Sequence, residues 1–243
     1  MSIPKVIAIV QARMGSTRFP KKVMKLVGGT PLIELLLSRL SLSKRIDQII
    51  VATSFDMKNQ PLVKHVQDLG YACFQGSEDD VLSRFAEAAI HFKGDIIVRI
   101  TGDCPLVDPL LVDDAITKFM DSGVDYFSNV LPPTYPDGLD IEVFSYNALE
   151  KANRNARTPF DREHVTPILR SQEEFSKASM KLEDDLSHHR WVVDEPSDLT
   201  VIEKIFLHFY PRIDFSWNDV LALQKKEFGI LLGDLVAHRN KLI

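Results

Sequence analysis

The sequence predicts an α/β fold with a mainly parallel, mixed sheet flanked by helices, and three observations carry that prediction. Apolar runs of strand length recur at Val6 to Val10, at 49–54 (IIVATS) and at 95–101 (DIIVRIT), each bounded by polar or glycine-bearing segments. Amphipathic helical segments lie between them, giving the strand, loop, helix order of a parallel sheet with right-handed crossovers. The 243 residues are 45% hydrophobic and 26% charged, a globular balance, and a chain of this length buries roughly 70% of its unfolded surface without staples.

In chain order, the first strand runs straight into a basic loop, QARMGSTRFPKK, holding Arg13, Arg18, Lys21 and Lys22. Thr30 is expected to cap a helix that starts at Pro31 and runs to about Leu40 on the stripe Leu32, Leu35, Leu36, Leu40. A helix from about Pro61 to Leu69 stops at Gly70, and Tyr71 to Phe74 reads as a short strand. Ser77 is expected to cap the next helix, with Asp80 as capping-box partner and Val81, Leu82, Phe85, Ala88 and Ala89 on its apolar face, up to Lys93-Gly94. After DIIVRIT comes Gly102-Asp103-Cys104-Pro105; Asp108 caps a further helix, Pro109 starts it and Gly123 ends it.

Beyond Asp125 the pattern changes. Two strands, within VDYFSNVL and DIEVFS, are joined by PPTYPDG, and this arm, about 130–145, is expected to protrude from the sheet. Helices are expected at about 145–156 and 160–171, strands near 177–182 and at Arg190 to Val193, and a helix from about Ser197 to Phe209. One or two more follow Pro211, capped at Ser216 and broken near Gly229. No repeat or low-complexity tract interrupts the chain.

Net charge is −5, which argues against a nucleic-acid or membrane-surface binder and makes the basic loop a local feature. The two cysteines, Cys73 and Cys104, lack metal-site spacing and fit a reducing, cytoplasmic setting. A basic loop at the carboxyl end of a buried strand suits a polyphosphate: Gly15, Ser16 and Thr17 let backbone N–H groups approach, and arginines offer forked donors. The alternative is a solvated surface loop. Asp103 in RITGDCP and Asp194 in RWVVDEP each follow a buried strand; if the strands are neighbours, the two carboxylates supply the oxygen ligands of a magnesium ion shared with phosphates. Taken singly each aspartate is a ready cap; their occurrence together with the basic loop favours the site.

The phosphate-binding patterns G-x-x-x-x-G-K-[ST] and G-x-G-x-x-G are missing, as is a G-x-S-x-G elbow. His188 and His189 would face opposite ways on a strand and could not chelate one metal. His164, beside Arg162 and Glu163, is either a substrate contact or a polar helix surface.

QARMGSTRFPKK resembles the signature loop of the sugar cytidylyltransferases, the family of the 3-deoxy-octulosonate and acylneuraminate enzymes. GSEDDVLSRF, VRITGDCPLVDP, YFSNVLPPTYPDGLDIEVF, REHVTP and HHRWVVDEPSDL bring it nearest to the spore-coat-polysaccharide branch, over about residues 3–207. The resemblance implies a Rossmann-like nucleotidyltransferase fold, a domain at 1–210 with 211–243 as its helical extension, a homodimer, and Mg2+ as cofactor. It implies that Arg13 and Lys22 hold the triphosphate of CTP, with Ala12 to Ser16 along it. Ser77 and Arg84 then lie near the base or ribose, and Asp103 and Asp194 hold the metal. Asp140, Glu163 and His164 are the candidates for the acidic sugar, from an arm (Pro132 to Asp140) and a segment (Arg162 to His164) that could instead form the dimer contact. The family commonly has glycine where this chain has Lys21, which leaves open which lysine reaches the phosphates. Two other readings stand beside it: a nucleotide-sugar glycosyltransferase, disfavoured because no D-x-D occurs, and a nucleotide-binding module without catalysis.

Overall fold

Why the apolar runs are unbroken is visible in a computed structural model of the protein, which describes residues 3–226. Strand β1 (Val6–Gln11) is covered on both faces: Ala8 and Val10 belong to one core cluster, Ile7 and Ile9 to the other. The chain then forms a small hairpin, β2 (Leu26–Val27) and β3 (Thr30–Pro31), before α1 (Leu32–Leu40). Thr30 is therefore a strand residue and not the cap of α1, because pairing with Val27 claims it first. β4 (Gln48–Ser54), α2 (Gln60–Asp68), β5 (Ala72–Gly76), α3 (Val81–His91), β6 (Ile96–Thr101) and α4 (Pro109–Ser122) continue the alternation. The N-cap of α3 is Asp80, whose carboxylate accepts from the Ser83 N–H at 2.9 Å; Ser77, expected in that place, stands one turn earlier and accepts from the Asp80 N–H at 3.0 Å. Asp108 caps α4 as expected, and Gly123 ends it at φ 64°.

The second half supplies β7 (Tyr126–Ser128), β8 (Glu142–Ser145), α5 (Tyr146–Asn155), α6 (Pro159–His164), α7 (Pro167–Ser171), β9 (Lys177–Ser179), α8 (Pro196–Phe209) and α9 (Trp217–Lys226). Seven strands form one sheet in the order β5-β4-β1-β6-β8-β7-β9, in which only β8 runs against its neighbours. Helices α1, α4, α8 and α9 pack on one face, and α3, α5 and α7 on the other. The single helix expected over 160–171 is two, since Pro167 has no N–H to continue the ladder and Val165 turns to φ 70°.

Two further expectations for this half need correction. The 132–140 arm folds back onto the molecule, with Tyr135 and Leu139 buried and the Asp137 and Trp191 backbones bonded to each other's segment. Gly138 sits at φ 107°, where a Cβ would lie 2.6 Å from the Trp191 carbonyl carbon, so only glycine permits that approach. Arg190 to Val193 is extended and buried but is not a ladder strand; it makes one isolated bridge, Asp137 to Arg190. The His188 and His189 rings lie on one side of the chain, tilted by 36° with centroids 4.2 Å apart, as a turn rather than a strand allows. Past Pro211, Phe215 and Val220 are buried, and Arg39 donates to the Phe215 carbonyl at 2.9 Å. The expected break near Gly229 and the rest of 227–243 lie outside the described residues. Among those described, no helix is long and apolar enough to cross a membrane.

Candidate active site

The carboxyl ends of β1 and β6 are bolted together. The Gly102 N–H donates to the Gln11 carbonyl at 2.8 Å, and a Cβ on Gly102 would lie 2.8 Å from the Ala12 Cβ and 3.0 Å from that carbonyl oxygen. Glycine there lets the Asp103 loop close against the basic loop. The basic loop is itself fixed: the Met14 N–H donates to Asn59 Oδ1 at 2.8 Å, and the Lys21 N–H to the Met14 carbonyl at 3.0 Å. Asp194 arrives from the opposite side on the extended segment, whose Val193 N–H donates to the Asp103 carbonyl at 2.9 Å.

Three chain segments therefore converge. Lys22 Nζ lies 2.6 Å from Asp103 Oδ2 and 2.8 Å from Asp194 Oδ1, and Arg18 lies 3.4 Å from the other Asp194 oxygen. Burial would lower the Lys22 pKa, but the Asp103 and Asp194 carboxylates outweigh it and hold the ammonium above its ordinary range. Burial works against the Asp103 carboxylate too, and Lys22 overcomes it, leaving the group ionised below its usual pKa. Lys21 is exposed, with its backbone at φ 60°, and does not line the cavity that Lys22 lines.

These groups wall a cavity of about 780 Å³, within the size range of nucleotide and cofactor sites. Of the residues expected there, Ala12, Arg13, Ser16, Lys22, Arg84, Asp103, Glu163, His164 and Asp194 line it. Gly15 and Ser77 do not line it but adjoin it: a Cβ on Gly15 would be 3.8 Å from Glu78, and the Ser77 carbonyl accepts from Arg84 at 2.5 Å. Asp140 is off the wall; its charge acts on Cys104. Burial and then the Asp103 charge push the Cys104 thiol far up, so it is no nucleophile. Burial lowers the Arg84 pKa to about 10, still charged at neutral pH.

Sequence reasoning does not place Glu78 and Asp80 at the site. Glu78 accepts from Arg13 at 2.8 Å, and Asp80 lies 3.3 Å from Arg162, tying the α6 wall to the start of α3. The acidic run in GSEDD is the available signal. By residue type alone it reads as helix capping, which hides the second duty.

The two carboxylate oxygens that meet on one ammonium form a hard, anionic oxygen pair suited to magnesium, with phosphates and water completing its shell. Among the described residues no cluster of three or more His, Cys, Asp and Glu could hold a metal alone. A metal here would be shared with a substrate.

An α/β sheet with a cationic loop and two aspartates at its carboxyl edge defines the nucleotidyltransferase class. The chain matches the cytidylyltransferase family model over residues 7–210 and belongs to that family. It is 44% identical over 167 residues to an uncharacterised protein of Methanocaldococcus jannaschii, covering 68% of this chain and 67% of that one. It is 32% identical over 228 residues to the spore coat polysaccharide biosynthesis protein SpsF of Bacillus subtilis, covering 90% of this chain and 93% of the relative. A solved cytidylyltransferase from Leptospira borgpetersenii superposes with a TM-score of 0.92 at 31% identity, covering 97% of this chain and 100% of that chain. A CMP:2-keto-3-deoxy-manno-octonic acid synthetase solved with CTP shares the fold, with a TM-score of 0.66 at 16% identity over 84% of this chain and 99% of that one.

Proposed function

We propose that this protein is a magnesium-dependent cytidylyltransferase that transfers CMP from CTP to an acidic keto sugar, releasing pyrophosphate, in surface polysaccharide biosynthesis. The observation that carries the reading is the convergence of Lys22 with Asp103 and Asp194 beside Arg13 and Arg18 in one cavity. The relatives named for CTP, for a keto-sugar acid and for spore coat polysaccharide support the choice of substrates. A homodimer, on the strength of the family resemblance, and a cytoplasmic setting, on the strength of the two free cysteines, complete the proposal.

In the reaction, a sugar hydroxyl oxygen bonds to the α-phosphorus, the bond from that phosphorus to the bridging oxygen of pyrophosphate breaks, and the hydroxyl proton passes to solvent water. Positioning and charge neutralisation dominate such transfers. Arg13 and Arg18 are placed to take phosphate oxygens, and Lys22, released from one carboxylate, reaches the same charge. Asp103 and Asp194 would hold the magnesium, which supplies positive charge to the triphosphate and acidifies the attacking hydroxyl. Arg84 faces the nucleoside, with the Ser77 carbonyl accepting from it behind the wall, while Glu163 and His164 on α6 form the wall for the sugar. Asp140, which does not line the cavity and whose charge acts on Cys104, is left without a direct part in holding the sugar.

Supplying CTP, magnesium and a panel of keto-sugar acids tests the proposal by pyrophosphate release. Free nucleoside diphosphate from a nucleotide-sugar would instead make it a glycosyltransferase, and tight CTP binding without turnover a binding module. Asp103→Asn is expected to lose most turnover while CTP binding persists in part, because a neutral amide is a poor magnesium ligand. Unchanged kcat at saturating magnesium would remove Asp103 from the reaction centre.

A further inference from the structure

Of the two aspartates, Asp103 follows the ladder strand β6 directly, whereas Asp194 follows a segment outside the sheet. Its segment, 190–193, makes a single bridge, so something else must fix where the carboxylate stands. Asp198, in the first turn of α8 and 3% exposed, takes four donors on two oxygens. Oδ1 accepts from Arg190 Nε at 2.9 Å; Oδ2 accepts from Arg190 Nη2 at 2.8 Å, from the Asp194 N–H at 2.8 Å and from the Glu195 N–H at 2.9 Å. The same Arg190 Nη2 stands 3.6 Å from Asp194 Oδ2, and Arg190 Nη1 stands 3.9 Å from Asp137.

We infer that Arg190 and Asp198 are positioning residues for the reaction: their forked pair holds the turn that carries Asp194 and keeps its carboxylate aimed at Lys22 and Asp103. The inference rests on the proposed role of Asp194 in the reaction centre. Its physical content is a competition. Arg190 is bidentate to Asp198 and only near Asp194; with the Asp198 charge gone, the guanidinium turns to the next carboxylate, 3.6 Å away, and draws it off Lys22. A helix cap with no further duty would behave differently, since its loss would lower stability and leave the cleft's chemistry alone.

Asp198→Asn, Arg190→Lys and the double variant Asp198→Asn/Arg190→Gln separate the two cases in the full-length protein. The measurements are Tm, kcat against KM for CTP, and Mn2+ affinity in the presence of CTP by electron paramagnetic resonance. Asp198→Asn and Arg190→Lys are expected to weaken Mn2+ binding and lower kcat by about ten-fold or more, with KM for CTP nearly unchanged. The double variant, which has no guanidinium left to capture Asp194, is expected to lie closer to wild type than Asp198→Asn. Folded single variants with wild-type Mn2+ affinity and kcat, whatever their Tm, would overturn the inference. Should Asp198→Asn not fold, Arg190→Lys decides the question alone, because it keeps the charge and loses the fork. A wild-type protein that fails to bind Mn2+ with CTP would instead overturn the reading of the reaction centre, and the clamp with it.

Discussion

Lys21 and Lys22 show how adjacent, identical residues come to do different things. Lys21 holds φ 60° and ψ 25°, the left-handed conformation that glycine adopts freely. The strain of a side chain there is about 1 kcal/mol, similar to the entropy a glycine would lose on folding, so Lys21→Gly should leave Tm and kcat/KM close to wild type. Lys22→Met should lose about 2 to 4 kcal/mol of transition-state stabilisation, read from kcat/KM. The reverse ranking would show that Lys21, not Lys22, serves the phosphates. Both lysines are visible in the sequence, but only the backbone angle separates them. Asp80 and Ser77 repeat the lesson: either could cap α3 by type, and the one adjoining Val81 does.

Among the elements, β8 carries the most buried acid in the sheet. Glu142, 2% exposed, accepts from Arg170 on α7 and from Tyr126 on β7, each at 2.6 Å, and pairs with Arg99 on β6. Burial would push its pKa up, yet Arg170 and Arg99 hold it far below the usual carboxylate range. Arg99 also donates to Gln11 at 3.2 Å, so this cluster reaches the floor of the cavity. Glu142→Gln would leave two guanidiniums without their counter-charge, and a destabilisation of about 3 to 5 kcal/mol is expected in urea unfolding. A loss below about 1 kcal/mol would contradict this account. In the sequence Arg99 is simply a charge inside IIVRIT, and a partner 43 residues away gives no local sign. Periodicity marks β1, β4 and β6, whose neighbours bury both faces. It marks 190–193 as a fourth such strand, wrongly, because a buried extended segment has the same composition whether it joins a ladder or packs on a loop.

For the molecule as a whole, the same charges set its response to pH. Asp103, Glu142 and Asp198 have folded pKa values below their ordinary ones, so each contributes stability above about pH 4 to 5 that is lost as pH falls through the folded value. Lys22 is raised, and its contribution is present below its ordinary pKa and lost as pH rises through the folded one. Tm should therefore be level between about pH 5 and 9 and fall on acidification below about pH 4, measured by calorimetry across that range. A Tm that climbs from pH 7 to pH 4 would contradict the ion-pair account. The sheet and its cationic edge can be read from the sequence because short apolar runs and loop charges are local signals; the sheet order beyond β6 and the returning arm cannot, because they rest on contacts between distant segments. On the proposed reading, three such segments meet around a nucleoside triphosphate and a divalent cation. Diffraction from crystals grown with CTP and Mn2+ tests this most directly, through the anomalous signal of the metal. The expected result is a peak bridging Asp103 and Asp194, with the triphosphate against Arg13 and Lys22; a nucleotide and metal bound away from those four residues would contradict it.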